Sequence, residues 1–165
     1  MFDPFFLWLE STAFSIWVRE SPSVFAFPVI LAAHTIGLGL LVGLNGALNL
    51  RLLGFVRQIP ASAFRMFLPL MWLGLWLNVV TGVVLLIAYP TKALTNPVFY
   101  LKLSLIAVAL VILRVVLRFG HSDGVAPRGL KVLAAASLVA WGASIAAGRL
   151  LAYTCTRLMM GSLSC

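Results

Sequence analysis

The chain has 165 residues, of which 62% are hydrophobic and 10% are charged, and its mean hydropathy is +1.09. So few polar side chains cannot cover the surface of a soluble domain, which predicts one membrane domain over residues 1–165 with the lipid bilayer around it. The formal net charge of +8 would favour nucleic acid in a soluble protein, but here the basic residues flank apolar runs, so we predict no nucleic-acid partner.

The first twenty residues predict a helix that lies in the membrane interface. They have neither a basic n-region nor a small-residue cleavage site, so we expect no signal peptide. The polar side of this helix, over about residues 5–19, carries Trp8, Ser11, Ser15 and Arg19. Ser21 and Pro22 are a typical N-cap and first helical position, so the first span is expected to begin there.

Four apolar runs are long enough to cross a hydrocarbon core about 30 Å thick as helices, at about 1.5 Å per residue. Their predicted bounds are about 22–50, 64–89, 98–119 and 130–152. The links between them contain the Pro, Gly and Asn that turns require, and they are too short for another domain. The sequence therefore predicts an all-α fold: an integral membrane four-helix bundle with an N-terminal interfacial helix.

Basic residues are unevenly distributed over the loops. The first and third loops with their flanks hold Arg51, Arg57, Arg65, Arg114, Arg118, Arg128 and Lys131. The second loop holds Lys92, with Lys102 just inside the next helix. The positive-inside rule then places the first and third loops in the cytoplasm. We predict a multi-pass protein of the bacterial inner membrane with both termini periplasmic.

Small residues on the first and fourth spans indicate close helix packing. The small face of the first span consists of Thr35, Gly39, Gly43 and Gly46. The fourth span has two stripes, one of Ala136, Ala140, Ala143 and Ala147 and one of Ala134, Ser137, Ser144 and Gly148. Two stripes predict that two other helices pack closely against the fourth span, in a monomer or a small homo-oligomer. The alternative is that the small residues leave a slot for a cofactor between helices.

Polar side chains inside the spans are expected to face other helices, because they are costly in hydrocarbon. One stripe on the first span consists of His34, Leu38, Asn45 and Asn49. On the second span, Gly74, Asn78 and Thr81 lie opposite Trp72 and Trp76. Asn78 and Thr81 are expected to make inter-helix hydrogen bonds. For the two tryptophans we expect packing in the core, with stacking on a ligand ring as the alternative.

His34 is the only ionisable residue in an uncharged run of 27 residues, and such a group inside a span is a functional-site hypothesis by default. Lys102 and Arg149 belong to the same, periplasmic half, which would allow the three side chains to converge. Either the cations extend to head groups while His34 bonds a neighbouring helix, or His34 and Lys102 donate to the oxygens of an anionic or quinone-like ligand. Asn78 and Trp76 are further cofactor-binding candidates.

Haem and copper are the other cofactors considered. His121, the second histidine, follows the third span on the cytoplasmic side, so haem at His34 needs a single axial ligand or a second subunit. A His–Met pair is strained, because Met66 and Met71 also lie toward the cytoplasmic end. The soft donors of the tail, Cys155, Met159, Met160 and Cys165, form a possible Cu(I) set. A disulfide or free thiols are the simpler prediction for the two cysteines.

The remaining motifs do not define an enzyme. His121 and Asp123 in FGHSDG predict a solvated loop, with a partner or metal role as the alternative. The sequence contains no Ser–His–acid set, paired carboxylates, HExxH or glycine-rich phosphate loop, so hydrolase chemistry has no visible machinery. Whether the protein is an enzyme stays open.

Three segments resemble a family of small bacterial inner-membrane proteins to which no activity is assigned: AAHTIGLGLLVGLNGALNLRLLG, NPVFYLKLSLIAVAL and SLVAWGASIAAGRLLAY. The similarity extends from His34 to Tyr153. It implies a four-helix membrane fold and marks His34, Arg51, Lys102 and Arg149 without naming a reaction. In architecture alone, the chain is similar to b-type membrane cytochromes and copper-resistance D proteins.

Three classes of function follow from these observations. The first is a membrane redox or ligand-binding component with a quinone-like or haem site in the periplasmic half around His34. The second is a non-catalytic anchor or assembly subunit for a periplasmic protein partner. The third is a copper-handling protein or small transporter.

Overall fold

A computed structural model describes residues 3–55, 58–119, 126–154, 156–157 and 163–164. The helices in these ranges are α1 (Asp3–Glu10), α2 (Ala13–Glu20), α3 (Phe27–Leu53), α4 (Ala61–Arg65), α5 (Leu68–Ala88), α6 (Pro90–Leu94), α7 (Pro97–Phe119) and α8 (Arg128–Tyr153). Two-residue strands β1 (Thr156–Arg157) and β2 (Leu163–Ser164) pair antiparallel after α8. The all-helical architecture predicted from the sequence is confirmed, with this small strand pair as an addition.

Among the described residues, four helices are long and apolar enough to cross a membrane. They are α3, α5 together with the residues before it (Ala63–Ala88), α7, and α8. Their number, order and approximate bounds agree with the predicted spans. The largest difference is at the first span, which begins at Phe27 rather than at about residue 22. Ser21 ends α2 instead, because its backbone N–H donates to Trp17 O at 3.2 Å. Pro28 then occupies the first turn of α3, where a missing N–H costs nothing.

The N-terminal segment forms two helices, so the single helix predicted over about residues 5–19 is wrong. Thr12 separates them, because its hydroxyl accepts a hydrogen bond from Ser15 N at 3.3 Å as an N-cap and donates to Leu9 O at 2.7 Å. Ser15, expected on the polar outer side, is completely buried, and its hydroxyl donates to Ala88 O at 3.3 Å. The segment therefore packs on the end of α5.

The four long helices pack as two pairs. α3 lies against α5 and α7 lies against α8 along much of their lengths, and contacts between α3 and α8 join the pairs. α5 and α7 are almost without direct contact, and the short helix α6 connects them at one end. The arrangement is therefore a bundle with one open side, and we refer to the end that carries α6 as the α6 end.

α3 and α5 cross in close contact at Gly37 and Gly74. A Cβ at Gly37 would lie 2.9 Å from Gly74 O, and a Cβ at Gly74 would lie 2.8 Å from the Cβ of Leu40. Of the predicted small face of α3, Gly46 does face α8, since a Cβ there would lie 3.9 Å from Leu138 Cδ2. The prediction is wrong for Gly39 and Gly43, where a Cβ would meet nothing within 4 Å. At about 100° per residue these two glycines lie roughly 140–180° from His34, on the side opposite the buried polar stripe.

The small residues of α8 behave largely as predicted. α8 packs against both α7 and α3, which are its two close neighbours. Buried positions come from both stripes, namely Ala134, Ser137, Ala140, Ser144 and Ala147. In the half of the bundle opposite the α6 end, Asn49 donates to Asn45 Oδ1 at 2.6 Å and to Ser137 Oγ at 3.0 Å, so the predicted inward orientation of these two asparagines is confirmed.

Candidate functional site

A cavity of about 460 Å³ lies between the four long helices at the α6 end. Large apolar side chains form most of its wall: Phe27, Leu31, Leu85, Leu86, Phe99 and Leu151. The polar side chains in the wall are His34, Tyr89, Lys92 and Lys102, and small residues fill the remainder: Gly82, Ala93, Gly148 and Ala152. None of the described residues in the wall is acidic. An apolar chamber with a few convergent cationic and polar groups is suited to a ligand with an apolar body and an oxygen-rich head.

α3 presents His34 to the cavity, and α5 fixes the imidazole ring in place. His34 Nδ1 lies 2.9 Å from Thr81 Oγ1, and Asn78 Nδ2 donates to the backbone carbonyl of His34 at 2.9 Å. The next residue, Gly82, has no side chain, and a Cβ there would lie 3.3 Å from His34 Cε1. These contacts hold the ring against the backbone of α5. The inter-helix hydrogen bonds predicted for Asn78 and Thr81 are therefore confirmed.

Thr81 makes a second hydrogen bond, within its own helix. Its hydroxyl donates to Leu77 O at 2.6 Å, in the manner common for threonine in helices. Thr81 is buried, so both of its contacts are shielded from competing water. The side chains of Thr81 and His34 therefore form one chain of hydrogen bonds that starts at the α5 backbone and ends at the cavity.

The two lysines of the wall differ in their contacts. Lys92 Nζ donates to Ala152 O at 3.0 Å and so is held at the last turns of α8. Lys102 makes no hydrogen bond or ion pair with any described residue, and its Nζ and Cε lie 3.6 Å from the position of a Cβ at Gly148. Gly148 therefore leaves the room that the Lys102 side chain occupies. Lys102 is the cation in the wall that is available to a ligand.

The structure brings some of the predicted site residues together and separates others. His34 and Lys102 line the same cavity, and Asn78 donates a hydrogen bond to the backbone carbonyl of His34. Arg149 is exposed and is not part of the described cavity wall. Trp76 is 64% exposed on the outer surface of α5, and Trp72 is also exposed. Core packing of these two tryptophans is therefore wrong, because the inner side of α5 is occupied by its crossing with α3.

Several wall residues were not singled out by the sequence. Lys92 belongs to the link between the second and third spans, which folds into α6, and Tyr89 precedes that helix as its N-cap. Both line the cavity. Gly148 was visible only as a member of a small-residue stripe. Gly82 carries a weak signal, since it directly follows the polar residue Thr81. No pattern in the sequence shows which of these residues share a chamber.

The other predicted positions lie away from the cavity or outside the described residues. Arg51 is nearly buried at the opposite end of α3, where its Nε donates to Ile59 O at 2.8 Å. Met71 belongs to the hydrophobic core, and Met66 is exposed beyond the start of α5. The predictions for Arg57, His121, Asp123, Cys155, Met159, Met160 and Cys165 fall outside the described residues.

Comparisons with known protein families, with curated proteins and with solved structures found no match. Among the described residues, no group of three or more His, Cys, Asp or Glu side chains is placed to hold a metal ion. The chemistry of the site therefore follows from the cavity itself: one oriented imidazole, one available ammonium group and apolar walls.

Proposed function

We propose that this chain is a multi-pass protein of the bacterial inner membrane that binds a quinone-like ligand in the cavity beside His34. The observation that carries the proposal is the pairing of an oriented His34 with an available Lys102 in a chamber whose remaining wall is mainly apolar. Leucine and phenylalanine side chains would bury the ring and tail of such a ligand. Its oxygens would meet the two polar groups.

The outer surface of the helices supports a membrane location. Large apolar side chains are exposed on separate helices, among them Ile36 (59%), Trp76 (64%) and Val139 (71%). A soluble protein rarely leaves so much apolar surface in water. The arginines of the first and third loops favour a cytoplasmic location for the end opposite α6, which would put the cavity in the periplasmic half with both termini periplasmic.

Haem is the less favoured cofactor. His34 can supply one axial nitrogen, and its Nδ1 contact with Thr81 is the kind of support that ligating histidines have. However, the described wall contains no second histidine, methionine or cysteine that would supply the other axial position. Lys102 as an ammonium donor suits a ligand oxygen better than an iron.

The test is the ligand content of the purified protein in mild detergent, measured by mass spectrometry of an organic extract and by absorbance. We expect a co-purified quinone or quinol in the unaltered protein and a loss of most of it in His34→Leu and in Lys102→Met. Arg149→Met is the matched control, because it removes a cation at a similar depth that is not in the described wall. We expect it to keep its ligand.

Three results would contradict the proposal. A Soret band in the purified protein would identify haem instead. Ligand content unchanged in His34→Leu, with a lowered melting temperature, would leave His34 as a helix-packing residue. No ligand in any preparation, together with no binding of an added quinone or quinol, would favour the non-catalytic anchor.

A further inference from the structure

The hydrogen bonds around His34 determine which of its ring nitrogens carries the hydrogen. A threonine hydroxyl has one hydrogen, and that of Thr81 is directed at Leu77 O over 2.6 Å. It is therefore not available for His34 Nδ1, which lies 2.9 Å from the same oxygen. Nδ1 must then be the donor and Thr81 Oγ1 the acceptor. The network assigns the Nδ1–H tautomer to the neutral ring.

This assignment leaves His34 Nε2 with a lone pair. In a neutral imidazole the nitrogen without hydrogen is an acceptor. Nε2 has no hydrogen-bond partner among the described residues, and the ring lines the cavity. Lys102 on α7 complements the acceptor His34 Nε2, because an ammonium group has three hydrogen-bond donors and no acceptor. The wall thus offers a ligand one acceptor and one cationic donor.

We propose that the cavity selects the hydroxyl-bearing form of its ligand, a quinol or another phenol, over the carbonyl form, and that His34 Nε2 accepts a hydrogen bond from the ligand hydroxyl. This inference rests on the proposed function. A quinol O–H can donate to Nε2, whereas a quinone oxygen has only lone pairs and would face another lone pair there. A site built to receive a hydroxyl rejects an analogue that lacks it, because its own polar group is left unpaired.

The binding step needs no bond to break. The ligand hydroxyl keeps its hydrogen and donates it to His34 Nε2, while the hydrogen on Nδ1 stays in its bond to Thr81 Oγ1. The Lys102 ammonium group lines the same cavity, and its three donors are available to the lone pairs of the ligand oxygens. A hydroxyl oxygen can therefore donate to His34 and accept from Lys102, whereas a carbonyl oxygen can only accept.

The binding test compares three probes under anaerobic conditions: a decyl benzoquinol, the corresponding benzoquinone and the dimethyl ether of the quinol. Binding to the full chain in detergent is measured by calorimetry at a pH of about 8, where imidazole is ordinarily neutral. We expect the quinol to bind about tenfold or more tighter than the other two, which is the usual effect of one unpaired buried group. Thr81→Val should reduce this preference, because Nδ1–H then has no fixed acceptor, and Thr81→Ser should preserve it.

A second measurement tests the tautomer without any ligand. In protein labelled with ¹⁵N-histidine, the His34 signal, assigned by its loss in His34→Leu, should be that of a neutral ring protonated at Nδ1. A ring protonated at Nε2 would overturn the inference directly, even if Thr81→Val failed to fold. Equal binding of quinol and quinone would overturn the inference and leave the proposed function standing. Failure of all three probes to bind would overturn both.

Discussion

Ser137 shows how a single hydroxyl can hold two spans together. Its Oγ accepts a hydrogen bond from Asn49 Nδ2 at 3.0 Å and lies 3.2 Å from Asn45 Oδ1, and all three residues are buried. We expect Ser137→Ala to lower the free energy of unfolding by about 0.5–2 kcal/mol, the range of inter-helix hydrogen bonds in membrane proteins. The measurement is denaturation in mixed micelles.

Ser104→Ala is the control for that substitution. Ser104 is exposed and its hydroxyl bonds only to Tyr100 O in its own helix, so its removal should leave stability nearly unchanged. Equal effects of the two substitutions would show that the buried cluster contributes no more than an ordinary surface hydroxyl.

The orientation of single polar residues is the part of the site that the sequence predicts best. His34, Asn78 and Thr81 are expected to face other helices because hydrocarbon penalises unpaired polar groups, and the structure joins all three. Trp76 is different, since an indole is tolerated both in a core and on a lipid-facing surface. A tryptophan at this position therefore does not indicate whether its side chain faces the core or the outer surface. The packing of α5 on α3 determines that orientation.

At the level of the helices, the crossing of α3 and α5 positions the site. Gly74→Ala would place a methyl group 2.8–3.0 Å from Leu40 Cβ, Gly37 O and Leu41 N, so the helices must separate. We expect a loss of about 1–3 kcal/mol of stability, the usual range for overpacking. Thr81 lies two turns further along α5, so the His34 contact and ligand retention should weaken as well.

Gly43→Ala provides the comparison for Gly74→Ala. A Cβ there would meet nothing within 4 Å, so stability should change by less than about 1 kcal/mol, from helix propensity alone. Both are measured by thermal melts in detergent. Similar losses for the two variants would mean that the close crossing is not a constraint on the fold.

The glycines of α3 show why the packing side of a helix could not be predicted from its small residues alone. Gly39 and Gly43 are spaced as in a packing face, yet the polar stripe of α3 determines the inner side and turns them outward. The buried polar residues outweigh the small ones, because an exposed asparagine costs more in hydrocarbon than an exposed glycine. The break at Thr12 was missed for a similar reason, since apolar periodicity continues through it while its hydroxyl caps the start of a second helix.

For the whole molecule, the orientation in the membrane is the main expectation to test. Reporter fusions after Arg128 should indicate the cytoplasm and fusions after Lys92 the periplasm, because basic residues are concentrated around the first and third loops. A periplasmic signal at Arg128 would invert the molecule and put the cavity in the cytoplasmic half.

The number of long helices could be predicted because hydropathy alone decides it, whereas the chamber could not. It depends on the folding of the second link into α6 and on the weak contact between α5 and α7, and neither produces a periodic signal along the chain. The length and apolar character of each long helix follow from its own residues. The space between them is a property of all four.

The open side between α5 and α7 would be the route by which a ligand enters the cavity. In the proposed setting that side faces acyl chains, so a lipophilic molecule would enter by lateral diffusion within the leaflet and would not have to cross an aqueous phase. Occupancy would then follow the mole fraction of the ligand among the lipids rather than its nominal concentration in the sample. Adding empty lipid vesicles to protein that holds its ligand would lower the mole fraction of the ligand among the lipids. The ligand would therefore leave the cavity.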